Sequence, residues 1–302
     1  MNSSSRLYRK GIIMLLASGF FLSTAGIALR LVEQADGWQI LFYRALSLSL
    51  TIFLFLTYQK GSAVLDDFRG LGWNDVLLAI FLGTGFVAYV FALLYNTIAN
   101  ALFIFSSAPF VAALLGWIVL GERVALRTWG CIAGAMAGLA IMVASGLAAG
   151  RYLGNLIALW IPISYAATIV LVRRSERQNM LSALCLAGLV AAALSAIFVR
   201  EFSLTTLDLG ISLYLGVFQV GAGFGLMVLG TRYIPAAQVG LLALVEPILA
   251  PIWAWLGVGE VPAFATILGG SIIFLAITTD GILNIVKPHP PVEAGSEPGK
   301  TG

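Results

Sequence analysis

The stretch from Gly83 to Thr128 recurs without a gap as the stretch from Gly221 to Thr266, 138 residues further along the chain. Thirteen of the 46 aligned positions are identical, among them Gly83/Gly221, Gly85/Gly223, Phe86/Phe224, Pro109/Pro247, Trp117/Trp255, Gly121/Gly259 and Glu122/Glu260. Shared hydrophobicity would match aliphatic residues at random. It would not set proline, tryptophan and a Gly-Glu pair at the same stations twice. A repeat of fixed period sets the unit of construction before any element is assigned, and here the unit is half of the chain.

Hydrophobic residues make up 60% of the 302 and charged residues only 10%, against about 25% charged in a soluble domain. Such a chain cannot cover a surface that faces water, so the bilayer must be its solvent. The net charge of +3 is small and scattered, without the basic patch and interleaved aromatics of a nucleic-acid binder. Cys131 and Cys185 both lie in apolar runs and read as small buried hydrophobes, not as a disulfide or a metal pair. His289 is the only histidine, which excludes an H-E-x-x-H metal site, and no G-x-S-x-G or Walker sequence occurs. The reading is therefore of a chain that is not an enzyme, needs no cofactor or metal, and does not pump with ATP.

An apolar run of about 20 residues crosses the hydrocarbon core as a helix. Ten such spans are expected, at 11–31, 38–57, 74–95, 98–120, 127–147, 154–172, 180–199, 209–230, 235–257 and 263–285. The first is too long for the apolar part of a signal peptide and lacks a clear cleavage site. The Pro- and Gly-rich segment 287–302 is expected to be disordered. Cytoplasmic loops are enriched in Lys and Arg. With the N-terminus inside, thirteen of these residues fall on the inner side and four (Arg30, Arg44, Arg151 and Arg200) on the outer. Both termini are then cytoplasmic. Five helices is an odd number, so the halves 1–148 and 149–286 take opposite orientations. A weaker match, Gly11 with Gly154 and Arg30 with Arg173, relates the first span to the sixth. Inverted repeats are the construction of secondary carriers, in which two halves exchange conformations around a midplane site. The fold class is all-α integral membrane, ten transmembrane helices in two inverted five-helix repeats.

Two segments, Ala99–Thr128 and its copy Ala237–Glu260, each carry a proline followed twelve residues later by Gly-Glu; a Phe42-Tyr43-Arg44-Ala45 stretch opens the second span. In these residues the chain resembles the EamA branch of the drug/metabolite transporter superfamily, over about residues 8–285. The resemblance implies ten helices, a bacterial inner-membrane location and export of amino acids or other small metabolites. A narrower likeness is to aromatic-amino-acid exporters of the YddG type. The second Gly-Glu departs from the first, being followed by Val261-Pro262 where the first has Arg123.

Glu246 stands about eleven residues into the ninth span, directly before Pro247. An ionisable group at that depth costs about 2.5 kcal/mol or more and usually faces a cavity or a partner. Pro247 frees the carbonyl of Ala243, so the ninth span should bend there, and Pro109 should bend the fourth. A carboxylate at such a bend can bind an ammonium or take up a proton; it can also be a neutral structural carboxyl. Position 108, equivalent to Glu246, is alanine, so the site is expected to hold one carboxylate. Asn100, Phe103 and Ser107 share one helical face, as do Trp160, Ser164 and Thr168, with Tyr165 adjacent. With Tyr89, Gln219 and Gln238, these residues describe a pocket with aromatic walls and few fixed charges; each taken singly also fits interhelical packing.

Arg44 reads as a structural charge near the outer boundary, pairing with Glu33, Asp36 or Glu260 or snorkelling to the headgroups, while Glu122 and Glu260 read as anchors at helix ends. Gly130, Gly134 and Gly138, and Gly221 with Gly225, have the four-residue spacing that lets helices approach closely, here within a monomer. Trp38, Trp73, Trp129 and Tyr152 are expected in the interfacial belt. The function expected is secondary export of small metabolites, amino acids foremost, by a monomer whose partners are its substrate and the bilayer. Alternatives are a proton-coupled drug or nucleotide-sugar transporter, or a membrane subunit that does not transport.

Overall fold

The computed structural model describes residues 3–95, 104–105, 107–122, 124–143, 152–175, 180–259 and 264–286. All regular structure among them is helical. Helices satisfy every backbone N–H and C=O within one segment, which is what a chain without water around it requires. In chain order the helices are α1 (Ser3–Ser23), α2 (Ala25–Arg30), α3 (Gly37–Lys60), α4 (Val64–Arg69), α5 (Trp73–Tyr95), α6 (Ala108–Leu120), α7 (Leu126–Val143) and α8 (Tyr152–Arg174). They continue as α9 (Leu181–Ala196), α10 (Thr206–Tyr214), a π-helical segment (Leu215–Ala222), α11 (Gly223–Thr231), α12 (Ala236–Ala243), α13 (Val245–Val258) and α14 (Phe264–Val286).

Six helical stretches are long and apolar enough to cross a membrane: Arg6–Arg30, Gly37–Lys60, Trp73–Ala92, Leu153–Arg174, Thr206–Thr231 and Ala236–Gly257. Four more are apolar but shorter, Ala108–Leu120, Leu126–Ile141, Leu181–Ala196 and Ile267–Asp280. Full crossings were expected at all ten. Ile267–Asp280 is the middle of α14, which has 23 residues, and Leu126–Ile141 lies in α7, which has 18; α6 and α7 lie close to residues outside the described set. α9 has 16 residues and at 1.5 Å per residue falls short of the roughly 30 Å hydrocarbon core. The outward faces carry large apolar side chains such as Phe53, Leu54, Ile118, Phe274 and Leu275. Lipid, not water, matches that surface, and the chain is a multi-pass membrane protein.

Helices from the two parts of the chain interleave. α5 packs on α8 and α9, α1 on α11 and α13, α3 on α9 and the π-helical segment, α6 on α12 and α8, and α7 on α14. Glycines permit the closest of these approaches. A Cβ at Gly85 would stand 2.5 Å from Ser164 Oγ on α8, and one at Gly223 would stand 2.8 Å from Leu22 Cδ2 on α1. Of the expected glycine stripe on α7, only Gly138 is crowded, by the Gly269 carbonyl; Gly130 and Gly134 face open space. Of these three glycines only Gly138 permits a close helix approach, a correction to the three-glycine reading.

Three spans are interrupted. α1 gives way to α2 at Thr24, where Ser23 and Thr24 hydroxyls bond back to the carbonyls of Phe20 and Phe21, both at 2.7 Å, a bond that bends helices. Pro109 is the second residue of α6 and Pro247 the third of α13. Proline lacks an N–H and is tolerated in a first turn, so each proline stands where a helix restarts. Gly121 and Gly259, at equivalent stations of the repeat, both take positive φ, 67° and 71°, the left-handed conformation that ends a helix.

Each end of the bundle is fastened. At the end holding the start of α1, Arg173 on α8 bonds to Glu122 and to the carbonyls of Thr231 and Ile234, while Glu122 Oε2 accepts the Ala236 N–H at 3.0 Å. Tyr8 donates to Gln238 Oε1 at 2.9 Å close by. At the opposite end the Asp208 carboxylate accepts the N–H groups of Glu33, Gln34 and Ala35 at 2.9–3.0 Å. Gln39 there donates to the carbonyls of Glu201 and Ser203.

Candidate functional site

A cavity of about 40 Å³ lies at the centre of the bundle. α1 contributes Leu22, α3 contributes Arg44, and α5 contributes Leu82, Gly85, Phe86 and Tyr89. Phe105 precedes α6; α8 supplies Ile161, Ser164 and Tyr165; the π-helical segment supplies Gln219, α11 Phe224 and α13 Glu246. The walls are aromatic. Phe86 and Phe224, one identical pair of the repeat, meet edge to face at 5.1 Å, Phe105 meets Tyr165 at 5.4 Å, and Tyr165 meets Phe224 at 6.2 Å.

Polar groups are few and deeply buried. Glu246 is 7% exposed and sits in the first turn of α13, where the unpaired N–H groups of a helix start favour negative charge. Its Oε1 accepts a long bond of 3.4 Å from the Tyr89 hydroxyl. The break at Leu244 brings it here, since the chain restarts its helix with the carboxylate already turned inward. Gln219 is 2% exposed; its Nε2 donates to the Leu22 carbonyl at 3.3 Å and its Oε1 has no partner among the described residues. It projects from the π-helical segment. Such bulges often mark functional positions because they displace one side chain from the helical register. Gly216 lets this segment lie on α3, for a Cβ there would meet the Arg44 carbonyl at 2.3 Å.

Arg44 is 4% exposed, and its guanidinium carbon lies 5.7 Å from the Phe86 ring centre and 6.0 Å from that of Tyr89. It does not pair with Glu33 or Asp36, contrary to expectation. The Asp36 carboxylate instead accepts the Gln39 N–H at 2.8 Å and caps α3. Tyr43, next to Arg44, bonds to the Phe202 carbonyl, and Arg44 takes the cavity face.

Of the residues proposed from sequence, Tyr89, Ser164, Tyr165, Gln219 and Glu246 come together in this cavity. Trp160 does not: its indole donates to Thr84 Oγ1 at 3.0 Å and stacks on Phe81 at 5.7 Å, on an exposed face. A spacing of four places it over the same stripe as Ser164, but its length carries it to the rim of α5. Ser107 is spent on the Ile104 carbonyl at 2.8 Å, and Gln238 belongs to the end cluster with Tyr8. Asn100, Phe103 and Glu260 lie outside the described residues. Sequence reasoning missed Arg44 as a cavity residue, and with it Phe86, Phe105 and Phe224. The recurrence of phenylalanine at 86 and 224 was the available signal. Among the described residues no cluster of His, Cys, Asp and Glu could hold a metal.

A curated relative from Archaeoglobus fulgidus, named only as an uncharacterized transporter, is 24% identical over 274 residues, covering 90% of this chain and 96% of its own length. A solved crystal structure superposes with a TM-score of 0.76 at 18% identity, over 90% of this chain and 96% of that one, a likeness that shows the fold. Neither supports the narrower likeness to aromatic-amino-acid exporters. The model of the EamA-like transporter family matches residues 9–144 and 152–279. This polytopic chain, with a few buried polar groups in an aromatic-walled cavity at the bundle centre, belongs to the EamA-like transporter family.

Proposed function

We propose that the protein is a secondary carrier that exports small metabolites, foremost neutral or aromatic amino acids, through the central cavity. The observation that carries this reading is the composition of the cavity. Residues from both halves, 1–148 and 149–286, enclose one buried carboxylate, one buried guanidinium and one amide in an aromatic shell. Membrane proteins keep such groups where a substrate or ion passes.

Alternating access between two inverted five-helix repeats is the proposed mechanism. Support comes from the family match in two stretches, one per half, and from the reciprocal close approaches Gly85–Ser164 and Gly223–Leu22. The cavity is far smaller than the roughly 300–1,000 Å³ typical of ligand sites, and both ends of the bundle are fastened. That fits a closed intermediate, from which releasing the Glu122–Arg173 end or the Asp208 end would open opposite faces. Pro109 and Pro247 stand at helix restarts that can serve as hinges. The charge asymmetry favours cytoplasmic termini in a bacterial inner membrane, with a monomer as the working unit.

Reconstitution of this chain alone into vesicles tests the reading. Labelled amino acids should equilibrate across the membrane, and Glu246→Gln should fold yet transport at least tenfold more slowly, roughly the effect of one lost charged contact. Accumulation driven by an imposed pH gradient would favour proton coupling over simple equilibration. Vesicles that carry no amino acid, drug or nucleotide sugar would leave a membrane subunit as the surviving alternative.

A further inference from the structure

We infer that the cavity is built for a small zwitterion, with Arg44 receiving its carboxylate and Glu246, together with the Gln219 carbonyl oxygen, receiving its ammonium. The inference rests on the cavity being the transport site and specifies what that site holds. Among the described residues, the Arg44 guanidinium donates no hydrogen bond to the protein, although the side chain is 96% buried, being 4% exposed. The rings of Phe86 and Tyr89 flank it; the Tyr89 hydroxyl is directed to Glu246 and accepts nothing from Arg44. A guanidinium carries five N–H donors and cannot shed its charge, so in a membrane interior it demands an anion.

The acceptors facing it are in the complementary condition. Among the described residues, Gln219 Oε1 is buried without a partner, and Glu246 accepts only the 3.4 Å bond from Tyr89. No ion pair joins Glu246 to Arg44, though the two are near enough to interact electrostatically. Both charges line one cavity without an ion pair between them, so each is available to a bound group once the bundle opens. A molecule with one charge leaves the other buried and unpaired, which is the costly arrangement; a neutral sugar leaves both. The rings of Phe86, Phe105 and Phe224 provide the remaining wall, suited to an apolar or aromatic side chain. An α-amino acid, or a close relative with both charges on adjacent atoms, is the class that satisfies all of these groups. Sites that bind through buried polar groups reject analogues lacking the matching group most strongly.

Binding to the purified protein in detergent micelles tests this, using L-phenylalanine and L-leucine beside their decarboxylated amines (phenethylamine, isoamylamine) and deaminated acids (3-phenylpropionate, 4-methylpentanoate). At least one amino acid should raise the unfolding temperature and bind measurably, with its amine and its acid each roughly thirtyfold weaker or worse. Arg44→Gln should lower amino-acid affinity and close the gap between L-phenylalanine and phenethylamine, because the carboxylate loses its partner; Arg44→Lys should restore part of it. A merely structural arginine would not change the ranking of the analogues. Should Arg44→Gln fail to fold, the analogue series on the unaltered protein decides alone. Phenethylamine binding as tightly as L-phenylalanine, or neither amino acid binding at all, overturns the inference. Arg44-dependent binding without flux in vesicles would sustain it while removing the carrier reading, so the two stand or fall separately.

Discussion

Arg44 and Arg173 are the same side chain in two helices of one bundle, each close to a buried glutamate, and they are treated in opposite ways. Arg173 is saturated: Glu122 takes one side of its guanidinium and the carbonyls of Thr231 and Ile234 take the other. Glu122 in turn accepts from Ala236, so no charge is left over. Among the described residues Arg44 donates to no acceptor, and Glu246 beside it accepts only the long bond from Tyr89. A fold that needed Arg44 only for stability would have paired it, because burying an unpaired charge is among the most expensive things a protein can do. Saturation marks a fastener; the lack of it marks a site kept open for something else.

Replacing each arginine by methionine should break this comparison if it is wrong. Arg173→Met strands a buried carboxylate, and unfolding measured in micelles should show a loss of about 3 kcal/mol, the lower end for breaking a buried pair, since Arg173 retains 17% exposure. Arg44→Met removes an unpaired charge and should cost no stability, while transport in vesicles falls to background. Stability traded against activity in this way is typical of binding sites. Equal destabilisation by the two substitutions would make Arg44 a fastener as well.

A second contrast concerns glycines, which looked alike in the sequence. Gly85→Ala would drive a methyl against Ser164 Oγ at 2.5 Å, on the wall of the cavity, and should cost about 1–3 kcal/mol as overpacking does. Gly134→Ala meets nothing within contact range and should gain up to about 1 kcal/mol in helix propensity. Thermal unfolding of the two variants should therefore move in opposite directions. A loss at Gly134 comparable to that at Gly85 would restore the reading of a glycine stripe along α7.

Composition and the repeat were enough to read an all-helical membrane chain, because both are properties of many residues at once. Five of the cavity residues were legible too, since a polar group in the middle of an apolar span has few places to go. What the sequence hid was direction. Arg44 lies only about six residues into its span, a depth that suggests the boundary, yet its side chain enters the central cavity while the neighbouring Tyr43 bonds to the Phe202 carbonyl. Gln219 was visible, but the π-helical turn that projects it was not, since helix period alone cannot register one extra residue per turn. Trp160 erred the other way: the spacing placed its Cα on the right stripe, and its long side chain carried the ring to the rim. Interactions between spans decide such rotations, and those are non-local.

The smallest expected effects come from two tyrosines and give the finest version of the comparison. Tyr8 donates to Gln238 at 2.9 Å in the fastened end, and Tyr89 donates to Glu246 at 3.4 Å in the cavity. A well-made buried bond contributes about 1 kcal/mol and a long one less, so Tyr8→Phe should lower stability by about that much, leaving Gln238 Oε1 without its donor. Tyr89→Phe should be close to neutral in unfolding, because a bond at the limit of hydrogen-bond length holds little. Its consequence should appear in substrate affinity instead. With the hydroxyl gone, Glu246 has no neighbour to orient its carboxylate, and binding of an ammonium there should weaken by a few-fold, roughly the worth of one neutral hydrogen bond. The two substitutions thus separate by readout: stability for Tyr8, affinity for Tyr89. Were Tyr89→Phe to destabilise the fold more than Tyr8→Phe while leaving affinity untouched, the cavity's polar groups would be holding one another after all, and the distinction between fastener and site would fail where it matters most.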